Sequence, residues 1–296
     1  MIGKMVATTT VATKTVQATT PIWCPGCGDF GVLASLKKAL ADLGIKSKDT
    51  VVVGGIGCSG SIHNNLDCYG IHSLHGRLLP TAIGIKLANP DLTVIAAGGD
   101  GDGYAIGAGH FIHALKRNPS IVYIVMQNGT YGLTKGQPSP TAVPGYEGNV
   151  EPPFDAILTA LSIQNTSFIA RGFSGNQSQL TDLMKKAIVH ANERKGFGFL
   201  EVLSPCVTYN DTYKEWRERV FNVDSEKDYD QHNRLLAFTR VSQLMSDGKI
   251  PTGLIYMGSS NSLEANTLTS NEPMALQNIS IEKNRSRYEE LLKDFR

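Results

Sequence analysis

The chain has 296 residues, of which 41% are hydrophobic, and its 28 Lys and Arg nearly balance its 27 Asp and Glu. That composition is typical of a globular protein with one large core, and it excludes disordered and fibrous classes. A net charge of +1 provides no field that would attract nucleic acid or an anionic membrane, so neither partner is expected. The longest apolar runs are too short to span a bilayer and the Thr-rich start has no apolar stretch for export, so we expect a cytoplasmic protein.

Strand and helix patterns then alternate along most of the chain. After a polar first 20 residues, which we expect to be a mobile tail, apolar residues at helical spacing occur in 28–44. Short apolar runs rich in β-branched residues predict buried strands, with helical patterns between them. In chain order these segments are the strand TVVVGGIG, the helix LLPTAIGIKLAN, the strand LTVIAAGG, the helix YAIGAGHFIHALKR, the strand IVYIVMQNG, and the alternating segments FDAILTALSI, TSFIARGF, QLTDLMKKAIVHANER and GFLEVLSP.

This alternation predicts the fold class. Near-continuous apolar strands that alternate with helices are typical of a mainly parallel sheet covered by helices on both faces, so we predict an α/β domain over residues 21–210. Beyond it the pattern weakens to a polar helix-like segment, one strand-like segment, GLIYMG, and a charged terminal helix. We therefore predict an irregular C-terminal extension over residues 211–296 that contacts another subunit.

The segment GGDGDGYAIG, residues 98–107, lies where a predicted strand passes into a helix. Glycines at such a junction let the backbone approach a phosphate, and the helix N-terminus adds partial positive charge. A dinucleotide-binding loop does not fit, because the glycine spacing is wrong and the next strand ends in Gln127 and Asn128 rather than in an acidic residue. A calcium loop fails as well, because Tyr104 stands where an oxygen ligand is needed and Ala105 where glycine is needed.

Asp100 and Asn128 offer a third interpretation of this segment. They are 28 residues apart, and each follows the carboxyl end of a predicted parallel strand. Two oxygen ligands that converge beside a glycine loop would hold Mg²⁺ through a diphosphate, because Mg²⁺ prefers few protein oxygens together with phosphate oxygens. We therefore expect a Mg²⁺–diphosphate site at this edge of the sheet.

Two cysteines stand close together in WCPGCGDFGVL, residues 23–33. Cys24 and Cys27 could form a redox disulfide, half of a zinc site or two ligands of an iron–sulfur cluster. A thioredoxin-type disulfide is disfavoured, because its CxxC follows a strand in a βαβ unit whereas this one follows a polar tail. Zinc and iron–sulfur chemistry both remain open from these residues alone.

At this point the sequence resembles a known family. GDG followed by Asn after nearly thirty residues is similar to the diphosphate-binding motif of thiamine diphosphate enzymes, and YGIHSLHGRLLPTAIGIKLANPDLTVIAAGGDGDGYAIG with NGTYGLTKGQPSPT closely resembles the β subunit of 2-oxoacid:ferredoxin oxidoreductases. The resemblance covers about residues 23–216 and implies the thiamine diphosphate-binding fold. It departs at Gln127, where the family often carries Asp. The resemblance implies that Mg²⁺ is bound by Asp100, Asn128 and the backbone carbonyl of Thr130, and that the cofactor is also bound by Gly99, Gly101, Asp102, Gly132 and Leu133.

The resemblance also implies a single [4Fe–4S] cluster held by Cys24, Cys27, Cys58 and Cys206. Their spacing, with 31 residues from the second to the third and 148 more to the fourth, fits either zinc or such a cluster. Iron is expected, because oxidation of a thiamine adduct without flavin or NAD requires a one-electron carrier nearby. Cys68 lies outside this pattern and is expected to be a buried thiol.

The activity implied by the resemblance is oxidative decarboxylation of a 2-oxoacid with coenzyme A to acyl-CoA and CO₂, with electrons passing from the thiamine diphosphate adduct through the cluster to ferredoxin. By the same resemblance, catalytic roles near the thiamine or the substrate fall to His72, His75 and Arg77. Hydrogen bonding to backbone is the alternative for the two histidines, and a surface ion pair is the alternative for Arg77. His110 and His113 are expected to be packing or surface residues.

Substrate and partner follow from the same comparison. The segment SGSIHNN after Cys58 has no Lys or Arg to pair with a distal carboxylate, so we expect pyruvate or a broad range of 2-oxoacids rather than 2-oxoglutarate. Thiamine enzymes of this kind bind the cofactor between two domains, and the residues after Cys206 are too few for a second α/β domain. A larger α subunit is therefore expected to carry the Glu that faces the aminopyrimidine and the coenzyme A site.

Two other functions compete with this interpretation. A thiamine diphosphate-dependent decarboxylase or synthase without electron transfer would not need the four cysteines. A non-catalytic, metal-bearing interaction subunit would not need Asp100 and Asn128 to be intact.

Overall fold

The structure is a computed structural model that describes residues 18–268, 273–276 and 281–293. All but the last three residues of the predicted mobile tail, 1–20, lie outside the described residues. Where the described chain begins, the amide of Thr19 donates to the carbonyl of Asn64 at 2.8 Å, and Asn65 Nδ2 donates to the carbonyl of Thr19 at 3.0 Å. The chain therefore enters the fold beside the residues that follow Cys58.

A mainly parallel sheet forms the centre of the protein. The strands are β1 (Thr50–Gly54), β2 (Tyr69–His72), β3 (Thr93–Gly99), β4 (Val122–Gln127), β5 (Thr130–Tyr131), β6 (Gln137–Pro138), β7 (Phe168–Phe173), β8 (Gly198–Leu203), β9 (Val220–Asn222) and β10 (Ile250–Met257). Eight of them form one sheet in the order β2-β1-β3-β4-β8-β7-β10-β9, and β5 pairs with β6 separately. The first six strands in that order are parallel to their neighbours, β10 is antiparallel to β7, and β9 is parallel to β10. The predicted mainly parallel sheet is confirmed.

Helices cover both faces of this sheet. The α-helices are α1 (Asp29–Asp42), α2 (Leu78–Ala88), α3 (Ala108–Arg117), α4 (Ala156–Ser162), α5 (Gln177–Asn192), α6 (Tyr213–Arg219), α7 (Arg234–Ser246), α8 (Leu263–Thr267) and α9 (Ile281–Lys293). Over the ranges that the structure describes, none of these helices is both long enough and apolar enough to cross a membrane.

The central strands are apolar throughout because each is buried on both faces. Successive residues of a strand point to opposite faces of the sheet. Val52 and Ile95 belong to the core beneath α1 and α5, whereas Val53 and Ala96 belong to the core beneath α2, α3 and α4. The two cores confirm the predicted arrangement of helices on both sides.

Four neighbouring parallel strands, β1, β3, β4 and β8, end at the same edge of the sheet. The segments that leave them begin at Gly55, Asp100, Asn128 and Ser204. Because these strands are hydrogen-bonded side by side, their carboxyl ends bring the four segments together, which is where open α/β sheets bind ligands.

The sheet continues past residue 210, where the sequence analysis placed the start of an extension. β10 pairs with β7, β9 pairs with β10, and α7 packs on β10. The alternation is weak in this part of the sequence because β9 has only three residues and none of them is buried. The part of the chain after β10 is shorter than the predicted extension, and its first helix is α8.

Asn118 connects the part of the chain after β10 to the rest of the fold through hydrogen bonds. It ends α3 in a left-handed conformation with φ 57° and is fully buried. Its Oδ1 accepts hydrogen bonds from Ser167 Oγ at 2.7 Å and from the amide of Phe197 at 2.8 Å, and its carbonyl accepts one from the amide of Leu263 at 3.1 Å. One side chain and its backbone thus join the turn before β4, the starts of β7 and β8, and α8.

Replacing Asn118 should separate its two contributions. We expect Asn118→Gly to lower the free energy of unfolding by roughly 2 kcal/mol, because it leaves the buried amide of Phe197 without a partner. Asn118→Ala should cost about 1 kcal/mol more, because alanine at this positive φ adds strain that glycine avoids. Urea unfolding of the parent and both variants measures the differences. If the two variants were equally stable, backbone strain would not explain the effect of alanine. If Asn118→Gly were as stable as the parent, the hydrogen bonds of Asn118 would not contribute to stability.

Candidate active site

A cavity of about 230 Å³ opens at the carboxyl edge of the sheet. Its walls come from the segments after β1, β3, β4 and β8, from the segment before α1, and from the turn after β2. The predicted site residues that line it are Cys24, Cys27, Cys58, His75, Gly99, Asp100, Gly101, Asp102, Asn128, Thr130, Gly132, Leu133 and Cys206. One cavity therefore joins the glycine loop to the four cysteines.

Asp100 is a fixed, buried carboxylate in the wall of this cavity, only 1% exposed. Its Oδ1 accepts a hydrogen bond from the amide of Gly101 at 3.0 Å. Its Oδ2 accepts from the amide of Gly129 at 3.0 Å, from Ser139 Oγ at 2.6 Å and from Thr141 Oγ1. Burial raises the pKa of Asp100, and the hydrogen bonds from Ser139 and Thr141 oppose that rise. Asp100 thus presents a fixed oxygen ligand to any hard cation that binds in the cavity.

Asn128 lies next to Asp100 because the parallel register pairs Gly99 of β3 with Met126 of β4. Its Oδ1 accepts a hydrogen bond from the amide of Thr130 at 2.9 Å, and its carbonyl accepts one from Asn210 Nδ2 at 2.8 Å. These bonds fix the turn that leads into the β5–β6 hairpin. Asp100 and Asn128 thus both lie at the carboxyl edge of the sheet and line the same cavity.

The glycines of the loop are required by packing as well as by any ligand. A side chain at Gly101 would overlap the ring of Tyr131, whose hydroxyl donates to the Gly101 carbonyl at 3.3 Å. A Cβ at Gly107 would lie 2.5 Å from the carbonyl oxygen of Asp102, whereas a Cβ at Gly109 would meet nothing within 4 Å. Residues 101–106 form a π-helical turn directly before α3, so the Asp102 carbonyl lies beside Gly107.

Asp102 supports the neighbouring loops rather than simply facing the cavity. Its Oδ1 accepts hydrogen bonds from the amides of Gly76 at 2.8 Å and Ile56 at 3.1 Å, and it lies 2.6 Å from His75 Nδ1. The carboxylate is 2% exposed and its Oδ2 has no hydrogen-bond partner among the described residues. Asp102 therefore orients the His75 imidazole and ties the segments after β1 and β2 to the glycine loop.

His72 and Arg77, the other predicted catalytic residues, do not line the cavity. His72 lies on the exposed edge strand β2, where its ring is 4.9 Å from that of His63. Arg77 is exposed and contacts His110 on α3. His72 lies away from the cavity because β2 is separated from β3 by β1, whereas Arg77 directly precedes α2 and faces α3. The geometry thus brings only one residue of the predicted catalytic group to the site.

The four predicted cluster cysteines are free thiols around one side of the cavity. A Cβ placed on Gly132 would lie 3.6 Å from Cys206 Sγ and 3.9 Å from Cys58 Sγ, so these two thiols flank a glycine. Burial, followed by the charge of Asp29, raises the pKa of Cys27 and of Cys58. Among the residues with described positions, no three His, Cys, Asp or Glu side chains are close enough to hold a single metal ion.

Cys68 is also free but lies elsewhere, buried in the core beneath α1. It does not line the cavity. This agrees with the expected buried thiol. His113, expected to be a packing or surface residue, is exposed on α3.

Asp29 is a cavity residue that the sequence analysis missed. Its carboxylate is 1% exposed and accepts hydrogen bonds from Ser204 Oγ at 2.6 Å and Ser59 Oγ at 3.0 Å. Burial raises the pKa of Asp29 to about 6, while the bonds from Ser204 and Ser59 oppose the rise and the charge of Asp100 adds to it. The sequence did carry a signal for this residue. An acidic residue stands two positions after Cys27, a serine follows Cys58, and another serine stands two positions before Cys206.

A buried ion pair lies beneath the glycine loop. Arg171 Nε donates to Glu201 Oε2 at 2.7 Å, and the hydroxyl of Tyr104 donates to Glu201 Oε1 at 2.9 Å. Removing one partner of such a buried pair strands a charge away from water, which is strongly unfavourable. The pair therefore holds Tyr104, and with it the π-helical turn, against β7 and β8.

Two family descriptions match the sequence. Residues 55–202 match "Thiamine pyrophosphate enzyme, C-terminal TPP binding domain". Residues 206–271 match the C-terminal region of the pyruvate ferredoxin oxidoreductase β chain. The first match contains the glycine loop and Asn128, and the second begins at Cys206.

Individual relatives agree with these matches. The chain is 42% identical over 253 residues, 79% of each chain, to the β subunit of 2-oxoacid:ferredoxin oxidoreductase 2 from Aeropyrum pernix. It is 46% identical over 218 residues, 70% of each chain, to a 2-oxoacid:ferredoxin oxidoreductase β subunit from Saccharolobus solfataricus. Among solved structures, it is similar to 2-oxoglutarate:ferredoxin oxidoreductase from Magnetococcus marinus with 2-oxoglutarate, coenzyme A and succinyl-CoA bound, with a TM-score of 0.81 and 35% identity over 92% of this chain and 93% of that one.

Two glycines that are two residues apart give a matched test of the loop. We expect Gly107→Ala to destabilise the protein by about 2 kcal/mol and to weaken thiamine diphosphate binding about tenfold, because the new Cβ displaces the Asp102 backbone. Gly109→Ala should leave binding unchanged and stabilise α3 by up to about 1 kcal/mol, because its Cβ meets open space. Thermal unfolding and calorimetric titration with the cofactor measure both effects. Identical behaviour of the two variants would contradict the packing argument.

Proposed function

The chain belongs to the β subunits of the 2-oxoacid:ferredoxin oxidoreductases, and from this premise we propose its function in detail. Together with an α subunit, it converts a 2-oxoacid and coenzyme A to acyl-CoA and CO₂ by oxidative decarboxylation and passes the electrons to ferredoxin. The observation that carries the proposal is the single cavity that joins the glycine loop to the four cysteines. A non-redox decarboxylase would have no use for that junction.

Thiamine diphosphate and Mg²⁺ fit the glycine-loop side of the cavity. In the proposal, Mg²⁺ is held by Asp100, Asn128 and the carbonyl of Thr130. The oriented, buried Asp100 carboxylate supports this, because Mg²⁺ is usually bound through one or two carboxylates together with phosphate oxygens. Gly99 leaves the backbone bare where the diphosphate would approach, and Gly101 makes room for the Tyr131 ring beside it. The cofactor supplies the electron sink that decarboxylation of a 2-oxoacid requires.

An iron–sulfur cluster fits the cysteine side. In the proposal, Cys24, Cys27, Cys58 and Cys206 hold a [4Fe–4S] cluster, which supplies one-electron transfer. Support comes from four free thiols that line one cavity and from Gly132, whose missing side chain leaves the space beside Cys58 and Cys206 open. Burial is the main cause of the raised pKa of Cys27 and of Cys58. A bound metal would offset this rise, because it stabilises the thiolate.

The chain's own residues bind and orient in this scheme. Asp100 presents a fixed negative charge to the metal side of the diphosphate. Asp102 holds the ring of His75 through Nδ1, which leaves Nε2 free to exchange a proton or a hydrogen bond with a bound group in the cavity. Trp23 donates from Nε1 to the carbonyl of Cys58 at 2.7 Å and so steadies the cysteine side.

A larger α subunit would complete the active site. Leu133, which lines the cavity, and Ile22 and Leu74, which are next to cavity residues in the sequence, are strongly exposed, at 60%, 84% and 77%. Exposed apolar groups around a cavity are typical of a surface that a partner covers. In the proposal, that partner brings the Glu that faces the aminopyrimidine and the coenzyme A site.

The proposed substrate is pyruvate or a broad range of 2-oxoacids. Among the described residues that line the cavity there is no Lys or Arg, so this chain offers no cation for a second, distal carboxylate at that place. A dicarboxylic 2-oxoacid would therefore depend on a cation from the α subunit.

Cysteine variants test the cluster. We expect the anaerobically purified complex to be brown, with about four iron and four sulfide per chain. Replacing Cys24, Cys27, Cys58 or Cys206 by Ser should remove the visible absorption and the iron. Cys68→Ser is the matched control and should retain both, because that thiol lies in the core. Stoichiometric zinc without iron in the anaerobic parent would contradict the redox proposal.

Reconstitution tests the division of labour and the substrate. Without the α subunit, the chain should bind thiamine diphosphate weakly and show no 2-oxoacid-dependent reduction of methyl viologen. With the α subunit and coenzyme A, dye reduction should appear and kcat/KM for pyruvate should equal or exceed that for 2-oxoglutarate. Full turnover by the chain alone would contradict the partner requirement, and a tenfold or greater preference for 2-oxoglutarate would contradict the substrate assignment.

A further inference from the structure

We propose that Asp29 is a positioning residue that gathers the three cysteine-bearing segments around the cavity and lowers the reduction potential of the cluster held there. This inference rests on the proposed function, because it concerns the group that the cysteines would hold. It adds a residue that is neither a cluster ligand nor part of the diphosphate site.

The contacts of Asp29 reach all three segments. Asp29 follows Cys27 by two residues at the start of α1. Ser59, which donates to Asp29 Oδ2 at 3.0 Å, directly follows Cys58. Ser204, which donates to Asp29 Oδ1 at 2.6 Å, precedes Cys206 by two residues. Each carboxylate oxygen therefore holds one distant cysteine segment against the segment that carries Cys27.

The backbone beside Asp29 is built for the same close approach. The amide of Gly28 donates to the carbonyl of Pro205 at 3.0 Å. A Cβ on Gly28 would lie 2.6 Å from Ser204 Oγ, so a larger residue would push the two segments apart. The carboxylate thus acts at a place where the chain has already brought these segments into contact.

Burial makes this carboxylate more than a surface hydrogen-bond acceptor. Asp29, Ser59 and Ser204 are 1%, 4% and 1% exposed. The two side chains that donate to Asp29 are hydroxyl groups rather than cations, so its negative charge is not neutralised by them. A buried charge without a counter-ion is costly, and its field acts strongly on nearby groups. A negative charge beside four thiolates opposes the addition of an electron, because cluster potentials depend on net charge and hydrogen bonding.

The experiment uses the complex with its α subunit, purified anaerobically. Asp29→Asn removes the charge and keeps the shape, whereas Ser59→Ala and Ser204→Ala each remove one hydrogen bond and keep the charge. Ser35→Ala is the matched control, because Ser35 is also buried on α1 and its hydroxyl makes no hydrogen bond among the described residues. The measurements are iron and sulfide content, bleaching rate in air, midpoint potential by spectroscopic redox titration, thiamine diphosphate affinity and circular dichroism.

We expect Asp29→Asn to retain thiamine diphosphate affinity and to shift the cluster's oxidised-to-reduced ratio about tenfold toward the reduced form at a fixed electrode potential, which is a rise of about 59 mV for one electron. Ser59→Ala and Ser204→Ala should bleach several-fold faster in air, with a smaller change in potential. Ser35→Ala should match the parent in every measurement.

Loss of iron from Asp29→Asn with parent-like thiamine diphosphate binding and circular dichroism would also support a positioning role. If Asp29→Asn loses its iron, its thiamine diphosphate binding and its parent-like circular dichroism together, Asp29 serves the fold alone and the inference is overturned. An iron-loaded Asp29→Asn with the parent's potential and bleaching rate would overturn it as well, while leaving the proposed function intact. An iron-free parent complex would overturn both.

Discussion

The parallel alignment of four adjacent strands is the constraint on which the rest of the site depends. β1, β3, β4 and β8 end at one edge of the sheet, so the residues that follow them meet there although they are far apart in sequence. Cys58, Asp100, Asn128 and Cys206 all come from these four ends. The two remaining cavity cysteines precede α1, which packs on the sheet from one side. The fold thus brings the glycine loop and the four cysteines to one edge of the sheet.

Negative charge is concentrated at this edge and shielded from water. Asp29, Asp100 and Asp102 are each at most 2% exposed, and the charge of Asp100 contributes to the raised pKa of Asp29. Three buried carboxylates so near one another disfavour the folded state unless hydrogen bonds or cations compensate. Backbone amides and hydroxyls compensate in part, and a divalent cation beside Asp100 would compensate further. Their hydrogen bonds thus hold these carboxylates in a fixed arrangement before any ligand is bound.

The sequence was most informative where a single physical pattern dominates. β3 and β4 were predictable because burial on both faces demands continuous apolar runs, and the convergence of Asp100 with Asn128 followed from their place after those strands. β2 was missed because its four residues are exposed and carry no such run. Asp29 was missed because a carboxylate at a helix start is common, and only the fold shows that Ser59 and Ser204 point at it. Contacts between distant segments leave no local pattern in a sequence.

The exposed edge strand β2 has a consequence for how the protein is made. Its outer side pairs with nothing among the described residues, and Tyr69 and Ile71 are 59% and 38% exposed. An open edge with apolar side chains is a template on which another strand can add. Newly synthesised chains at high concentration would therefore tend to join edge to edge, and such pairing competes with correct assembly. A low concentration of newly made chains would therefore favour the native form, and the four-residue length of β2 limits such pairing.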